Sequence, residues 1–282
     1  MTIPAPRLDH VVVDARDRVD EAVRSYRALG FHVTERSRHT LGSVNHLCVF
    51  ETDYLELLGY DETIESVRPD ILAWPVGLNG LVFTLDQPEE LYVEIQKRGV
   101  AVDPPQDFSR PVNLGGGKIR DAKFRVVRLR AGIAPFGRVY FCHHLTPELI
   151  WRPEWQRHAN GARGIARILI AARDPAASVA VLRRIFGEDA VQESPAGQWS
   201  LAAQGVEVEI AARKIVAQQL GSAAPDPAAR EDYMAALTVR TASLVETARS
   251  LEAGGVRGVQ IDPGRVVVPA SAAVNVAIEF VE

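Results

Sequence analysis

HTLGSVNHLCVFETDYLELLGY, residues His39–Tyr60, is the stretch that decides the fold. The Gly42-Ser43 pair predicts a turn, and the apolar alternation that follows it predicts a strand. The run Tyr54–Leu58 predicts a second strand, joined to the first by the short connection Glu51–Asp53. These residues together predict a β-hairpin that carries several polar side chains.

Glu56 stands in the middle of the second strand, among leucines. A buried carboxylate at this position needs a cationic partner, such as a metal ion or an arginine. Alternatively, the strand lies at the edge of a sheet and the carboxylate faces solvent. The hairpin alone favours the exposed position, whereas the rest of the chain favours the buried one.

The composition is that of an ordinary globular protein. The chain has 282 residues, enough for two domains of about 140 residues each. Hydrophobic residues make up 47% and charged residues 24%, and the formal net charge is -4. This charge gives no basic surface suited to nucleic acid, and it is compatible with binding of small neutral or anionic ligands.

The cysteines and the N-terminus bear on the compartment. Cys48 and Cys142 lie within hydrophobic strand patterns, which favours buried thiols in a reducing cytoplasm over a disulfide or a cysteine metal site. The segment Met1–Arg7 lacks the apolar core of a signal peptide, and no apolar run approaches a membrane span. We therefore expect a soluble, cytoplasmic protein without a membrane partner.

The order of predicted elements is β-α-β-β-β, and it repeats. A strand over Leu8–Val13, a helix that begins near Val19 and ends at Gly30, and a strand over Phe31–Glu35 precede the hairpin. The second unit comprises a strand over Gly80–Leu85, a helix over Pro88–Arg98 and strands over Phe108–Val112, Lys123–Leu129 and Val139–His144. The glycines Gly115–Gly117 predict a mobile loop, either a lid or a slack connection.

The same pattern returns in the second half of the chain, where the sequence itself repeats. Leu8–Asp17 aligns without gaps on Ile165–Asp174, and Gly80–Val100 aligns on Ala236–Val256. Four βαβββ units in two pairs therefore account for nearly the whole chain, which predicts an α+β fold with domains over residues 1–160 and 161–282. The connector Thr146–Arg163, with Trp151 and Trp155, is expected to be packed between the halves, and Ala217–Asp232 to be exposed.

Paired βαβββ units are the building blocks of the vicinal oxygen chelate superfamily, and this chain resembles its glyoxalase-like domain proteins. The segments that carry the resemblance are LDHVVVD, the hairpin, NGLVFTLDQPEELYVEIQKRGV and YFCHHLTPELIWRPEWQ. The resemblance covers Leu8 to about Arg163, and the second half matches by topology. It implies glyoxalase/dihydroxybiphenyl dioxygenase-like half-barrel pairs that enclose a cleft for a divalent metal ion.

The resemblance implies a partial set of metal ligands. His10 and Glu56 occupy two expected positions, in the first and last strands of the first unit. Gly80 occupies the third and offers no ligand, which puts a four-ligand site in doubt. The last strand of the second unit offers His143 and His144, of which only one can face the cleft. We favour His144, giving His10, Glu56 and His144 around Fe, Mn, Ni or Zn.

Each of these residues also has a simpler interpretation. His10 could be a strand histidine that bonds a neighbour. His39, Asn45 and His46 could bind substrate in the cleft or serve as turn and hairpin residues, and Asn45 is the better substrate ligand. Arg110 could clamp a carboxylate of the substrate, although an arginine on an edge strand is commonly solvated.

The second half is not expected to bind a catalytic metal. Arg167 aligns with His10, Ala236 with Gly80 and Glu209 with Glu56, and Glu279 lies in the last strand. No histidine follows His158 in the sequence. The second half is therefore expected to have a structural role. For the whole protein, both a monomer and a homodimer stay open.

Two functions follow from the resemblance. The first is a metal-dependent lyase, isomerase or dioxygenase acting on a small substrate with vicinal oxygens, with Glu56 as the catalytic base. The second is a metal-free binding protein, like the antibiotic-sequestering members of the superfamily. Gly80 favours the second function, whereas His10 and Glu56 favour the first.

Overall fold

The computed structural model describes residue 3 and residues 5–282, which form two eight-stranded mixed sheets. The first half contains β1 (Leu8–Arg16), α1 (Val19–Ala28), β2 (Ser37–His39), β3 (Ser43–Val49), β4 (Tyr54–Gly59), α2 (Pro69–Leu72), β5 (Gly77–Thr84), α3 (Pro88–Lys97), β6 (Gln106–Asn113), β7 (Ile119–Arg128) and β8 (Arg138–His144). The second contains β9 (Ala162–Ala172), α4 (Pro175–Phe186), β10 (Val191–Glu193), β11 (Trp199–Ala203), β12 (Val206–Ala212), α5 (Arg213–Leu220), β13 (Tyr233–Thr241), α6 (Leu244–Ala253), β14 (Gln260–Asp262), β15 (Arg265–Val268) and β16 (Ala277–Val281).

The two sheets have the same topology. The first runs β2-β3-β4-β1-β5-β8-β7-β6, and the second runs β10-β11-β12-β9-β13-β16-β15-β14. In both, the first strands of the two units pair antiparallel at the centre, and each unit's last strand pairs parallel with its first. The four predicted βαβββ units and the α+β class are confirmed.

The first sheet closes on itself through its two edge strands. The backbone N–H of Thr40, just after β2, donates to the carbonyl of Ser109 in β6 at 2.9 Å. The Ser37 hydroxyl donates to the carbonyl of Pro111 at 2.6 Å. Among the described residues, β10 and β14 of the second sheet make no such bonds. The first sheet therefore encloses its interior, and the second stays open.

Four of the six helices that the structure describes pack in one core between the two sheets. A single apolar cluster takes buried side chains from both sheets and from four helices, among them Tyr26 of α1, Ile95 of α3, Leu182 of α4 and Leu251 of α6. Separate apolar clusters line the far faces of the first and second sheets. These two far faces therefore point away from each other, with the shared core between them.

Two predicted elements differ from the structure in the first half. Phe31–Glu35 is not a strand, because side chains replace part of its ladder. The N–H of Thr34 donates to the Leu47 carbonyl, but the N–H of Leu47 donates to the Thr34 hydroxyl and the Thr34 carbonyl bonds a ring nitrogen of His46. Gly115–Gly117 belongs to the tight turn between β6 and β7, which the Leu114 N–H to Lys118 carbonyl bond closes.

The connectors also differ from expectation. Trp151 and Trp155 pack against the cleft-side cluster of the first sheet rather than between the halves. Ala217–Asp232 begins within α5, and Leu220 and Ala223 are buried there. The apolar residues of α5 have helical spacing. The segment was predicted to be exposed because many alanines and prolines follow these residues.

Cys48 and Cys142 are free and buried, as expected from their strand patterns. Burial raises the pKa of both thiols far above the usual value, so both stay protonated. None of the helices in the described part of the chain is long and apolar enough to cross a membrane.

Candidate active site

A small cavity of about 30 Å³ lies inside the closed first sheet. Its volume is that of one or two water molecules, or of an ion and a water. Apolar walls from Leu47, Leu58 and Phe124 surround a set of polar groups. The polar residues that line it are His10, His39, Asn45, Tyr54, Glu56, Arg68, Arg110, Arg128 and Tyr140.

A larger cleft of about 610 Å³ adjoins this cavity. Arg68, Arg128 and Tyr140 line both spaces. The cavity is thus an inner end of the cleft, separated from it by two guanidinium groups and a phenol.

His10 reaches the cavity because β1 is irregular. Between Leu8 and His10 the pairing with β5 shifts register, so that Asp9 is an extra residue. Such a bulge re-aims side chains, and the Asp9 carboxylate meets Nδ1 of His10 at 2.5 Å. The imidazole stacks on Tyr54 with ring centroids 4.3 Å apart.

The ionised state of Asp9 determines the tautomer of His10. Burial alone would raise the pKa of Asp9, but the two imidazoles that contact it, His144 and His10, lower its pKa well below the usual range. An ionised carboxylate only accepts hydrogen bonds, so Nδ1 of His10 donates. Nε2 of a neutral His10 then presents its lone pair to the cavity, beside the Tyr140 hydroxyl at 3.3 Å.

Glu56 is buried, so the exposed edge position that the hairpin favoured is wrong. β4 lies between β3 and β1, and Glu56 is 6% exposed. Asn45 donates from Nδ2 to Oε1 of Glu56 at 2.7 Å. Burial acts to raise the pKa of Glu56, but His39, His10 and this hydrogen bond lower it below the usual value. The side chain is therefore a buried, ionised carboxylate.

Two imidazole nitrogens face the two oxygens of this carboxylate. Nε2 of His10 lies 3.8 Å from Oε2 of Glu56, and Nε2 of His39 lies 3.7 Å from Oε1. These distances are too long for hydrogen bonds. Two ligands of one ion, each roughly 2.1 Å from it at a tetrahedral angle, are roughly 3.4 Å apart. Each of the two separations is near this distance, so each imidazole forms with the carboxylate a pair that one divalent ion could join.

His39 is suited to this role by its surroundings. Its Nδ1 bonds the Ser43 hydroxyl at 2.9 Å, and its ring packs edge-on against Phe108 of the closing strand β6. Burial lowers the pKa of His39 to about 3. The imidazole is consequently neutral, the form that binds metals.

His144 and His143 lie on opposite faces of β8. Nε2 of His144 bonds both oxygens of Asp9 at 3.0 Å, whereas Nδ1 of His143 bonds the Leu85 carbonyl at 2.8 Å. His144 shares its face with Tyr140, but it is not among the residues that line the cavity. The structure thus brings His10 and Glu56 together and places His144 behind them, on Asp9.

Asp9, Cys142 and His144 offer ligand atoms within 4.8 Å of one another. The carboxylate of Asp9 already accepts hydrogen bonds from two imidazoles. This group is therefore better explained as the support of His10 than as a second ion site.

The remaining predicted residues lie in different places. Asn45 and Arg110 line the cavity, and each has a buried polar atom, Oδ1 and Nη2 respectively, without a partner among the described residues. His46 lies outside the cavity, where Nδ1 bonds the Thr34 carbonyl at 2.8 Å and Nε2 lies 3.5 Å from Arg36. At Gly80, a Cβ atom would come 2.6 Å from the Cβ of Val12, so the position has no room for a ligand.

A model of the glyoxalase-like domain family matches residues 8–186. This match spans the whole closed barrel together with β9 and α4. The chain belongs to the glyoxalase-like domain family. No curated protein matches it.

Solved structures share the fold of this glyoxalase-like chain. A hypothetical protein from Staphylococcus aureus is 12% identical with a TM-score of 0.67, and the match covers 98% of each chain. A mutant of 4-hydroxymandelate synthase from Streptomyces coelicolor is 12% identical with a TM-score of 0.61, covering 99% of this chain and 92% of that one. A xylose isomerase-like TIM barrel/4-hydroxyphenylpyruvate dioxygenase fusion protein is 12% identical with a TM-score of 0.62, covering 99% and 49%. The vicinal oxygen chelate fold is thereby established.

The second sheet fills the corresponding place with an ion-pair network. Arg167 donates to Glu209 at 2.7 Å and to Glu279 at 2.6 Å. Strand pairing shows which positions correspond in the two sheets. Glu209 lies beside β9 at the position that Glu56 takes beside β1. Glu279, opposite Thr238, takes the position of Tyr140, opposite Val82. A guanidinium group thus lies where the first half gathers its imidazoles, in keeping with a structural second half.

Sequence reasoning did not find several of the residues around the cavity. Asp9 was missed because alternation in a regular strand sends it away from His10. Tyr140 was missed, although strand pairing places it where Glu279 lies in the second half. Arg68 and Arg128 carry no sequence signal, because a loop brings Arg68 to the cavity and the end of β7 brings Arg128.

Proposed function

We propose that this chain is a metal-dependent enzyme of the glyoxalase/dioxygenase type, acting on a small substrate with vicinal oxygens. His10, His39 and Glu56 would hold the ion. The observation that supports this most is the pair of imidazole nitrogens at 3.7 and 3.8 Å from the two oxygens of one buried carboxylate. His144, which the resemblance favoured as a ligand, would instead hold Asp9 and through it the ring of His10.

When bound, such an ion polarises substrate oxygens as a Lewis acid. The protein's own groups have separate tasks. Asp9 holds Nδ1 of His10 and so points Nε2 toward the cavity, and Asn45 holds Oε1 of Glu56. A proton removed from the substrate would reside on Oε2 of Glu56, the oxygen that Asn45 does not bond. The Tyr140 hydroxyl, near His10 and at the inner end of the cleft, would donate to a substrate oxygen.

A metal-free binding protein is the second candidate, and one observation favours it. Gly80 leaves the first strand of the second unit without a ligand, and Val12 fills the space beside it. A site of this kind has three protein ligands at most, and a cleft of about 610 Å³ has room for a small organic ligand.

Metal analysis of the purified protein tests the choice. Wild type, His10→Ala and His39→Ala are each equilibrated with Fe, Mn, Ni or Zn and desalted, and bound metal is counted per chain. His143→Ala is the matched control, because His143 faces away from the cavity. We expect about one ion per chain in wild type and control, and a loss of at least tenfold in affinity in the other two.

A wild type that takes up none of the four metals overturns the proposal and leaves the binding protein. Retention of metal by His10→Ala also overturns it. Loss in His10→Ala with full retention in His39→Ala would keep a metal site but remove His39 from it.

A further inference from the structure

The cavity carries more positive than negative charge. Arg68, Arg110 and Arg128 line it, against the single carboxylate of Glu56. Asp70 neutralises Arg68 by a two-bond pair at 2.9 and 2.5 Å. Two guanidinium groups and one carboxylate remain, and a bound divalent ion would increase the excess.

Arg110 is the most unusual of these groups. It is 4% exposed, and its Nη2 has no hydrogen-bond partner in the described part of the chain. Glu56 is not its ion-pair partner, since no carboxylate oxygen among the described residues lies within 4.0 Å of it. Burial lowers the pKa of Arg110, while the nearby groups of Tyr54 and Glu56 act in the opposite direction.

Arg128 adds a second guanidinium without a carboxylate. Its Nη1 donates to the amide oxygen of Gln106 at 2.8 Å, and the guanidinium lies over the rings of Phe108 and Tyr140 at 5.9 and 5.7 Å. Burial lowers the pKa of Arg128, and the nearby charge of Arg68 lowers it further. Aromatic faces orient this group but do not neutralise it.

An uncompensated buried charge costs several kcal/mol, so a guanidinium is retained in such a place when a ligand completes its pair. We infer that the cavity recognises a carboxylate group of its ligand through Arg110, with Arg128 at the entrance adding to the attraction. A planar carboxylate matches the two parallel N–H groups of a guanidinium. The unpartnered Oδ1 of Asn45 adds an acceptor, which suits a hydroxyl next to that carboxylate.

This inference rests on the proposed function only in placing the ligand in the cavity, and its test does not need a metal. Calorimetric titration compares L- and D-lactate with lactamide, which has the same shape without the charge, and with inorganic phosphate, each with EDTA and with added metal. We expect millimolar binding of a lactate enantiomer in EDTA, with lactamide and phosphate at least tenfold weaker. Hydrogen bonds to charged groups are stronger than those between neutral groups, which supports a ratio of that size.

Variants assign the binding to Arg110. Arg110→Gln should lose at least tenfold in lactate affinity and bind lactamide unchanged, while Arg120→Gln, an exposed residue paired with Glu148, should match wild type. The melting temperature of unliganded Arg110→Gln should equal or exceed that of wild type, because an unpaired buried charge is removed. Lactamide or phosphate binding as tightly as lactate, or Arg110→Gln with unchanged lactate affinity, overturns the inference. If the wild type binds lactate but no metal, the proposed function is overturned and this inference stands.

Discussion

His10 depends on one irregularity in its strand. In a regular strand Asp9 would point away from His10, but the bulge between Leu8 and His10 brings the carboxylate against Nδ1. Asp9 in turn joins His10 to His144, so three side chains share one chain of hydrogen bonds. The arrangement sets the ring orientation of His10 and the nitrogen that faces the cavity.

The two neighbouring histidines of β8 should therefore differ in their effect on metal affinity. His144→Ala removes a partner of Asp9 and should weaken metal binding about 10- to 100-fold, the range typical of groups that orient a ligand. His143→Ala removes a bond to the Leu85 carbonyl on the other face and should leave affinity nearly intact. Competition with a chromogenic chelator measures both. A larger loss in His143→Ala would contradict the assignment of faces, and no loss in either would separate β8 from the site.

The sequence predicted the site residues that short local patterns mark, and it did not predict those placed by contacts between distant strands. Glu56 was found because it stands out in a short strand pattern, and His10 because the resemblance expects a ligand in the first strand. The repeat showed that the second half keeps a glutamate, Glu209, but has Arg167 in place of His10. Asp9 could not be found, because the bulge follows from pairing with a distant strand. The burial of Arg110 could not be found either, because it arises when β6 meets β2 and closes the barrel.

The connector between the halves is an element with defined contacts of its own. His158 accepts the backbone N–H of His32 at Nδ1, 3.0 Å away, and donates from Nε2 to the Val49 carbonyl at 2.9 Å. Both ring nitrogens are thus used by a neutral imidazole. Burial lowers the pKa of His158 to about 4.

This lowered pKa should make the folded state less stable in mild acid. Between pH 6.5 and pH 4 the unfolded chain binds a proton at His158 and the native chain does not, so the free energy of unfolding falls as pH falls. The shift corresponds to about 3 kcal/mol, as an order of magnitude. The stability of wild type over His158→Gln, measured by urea unfolding, should shrink by that amount across the window.

The comparison with the variant isolates this effect. Burial raises the pKa of Asp53 to about 6, so ionising it disfavours the native state as pH rises from 4 to 6, the opposite sign. Both proteins keep Asp53, and its contribution cancels in the difference. Parallel pH curves for wild type and His158→Gln would contradict the prediction.

The whole molecule is joined more tightly than two domains on a linker. Asn160, at the predicted boundary, is fully buried, and its carbonyl accepts the hydroxyls of Thr241 and Thr247 in the second half. Its amide donates to the Leu29 carbonyl in the first half. Independent folding of residues 1–160 and 161–282 stays a prediction, and the shared helical core indicates that each fragment alone would expose apolar surface.

α1 of the first unit meets α6 of the last unit through a glycine, and this contact should be sensitive to a single methyl group. A Cβ atom on Gly254 would overlap the carbonyl oxygen of Ala28. Gly254 has φ -77°, a conformation that alanine adopts freely, so any cost comes from the contact between the halves. Gly254→Ala should therefore lower the free energy of unfolding by about 1–3 kcal/mol, the usual range for overpacking.

Gly255→Ala is the matched control because its added methyl group meets nothing within 4 Å, although φ of +67° makes alanine strained there. That strain costs roughly 1–2 kcal/mol and stays local to α6. Urea unfolding gives the stability of both variants, and limited trypsin digestion reports whether the halves separate. Faster cleavage of the connector in Gly254→Ala than in Gly255→Ala at matched stability would locate the joint between the halves at this contact. Equal cleavage would mean that the shared core alone holds them together.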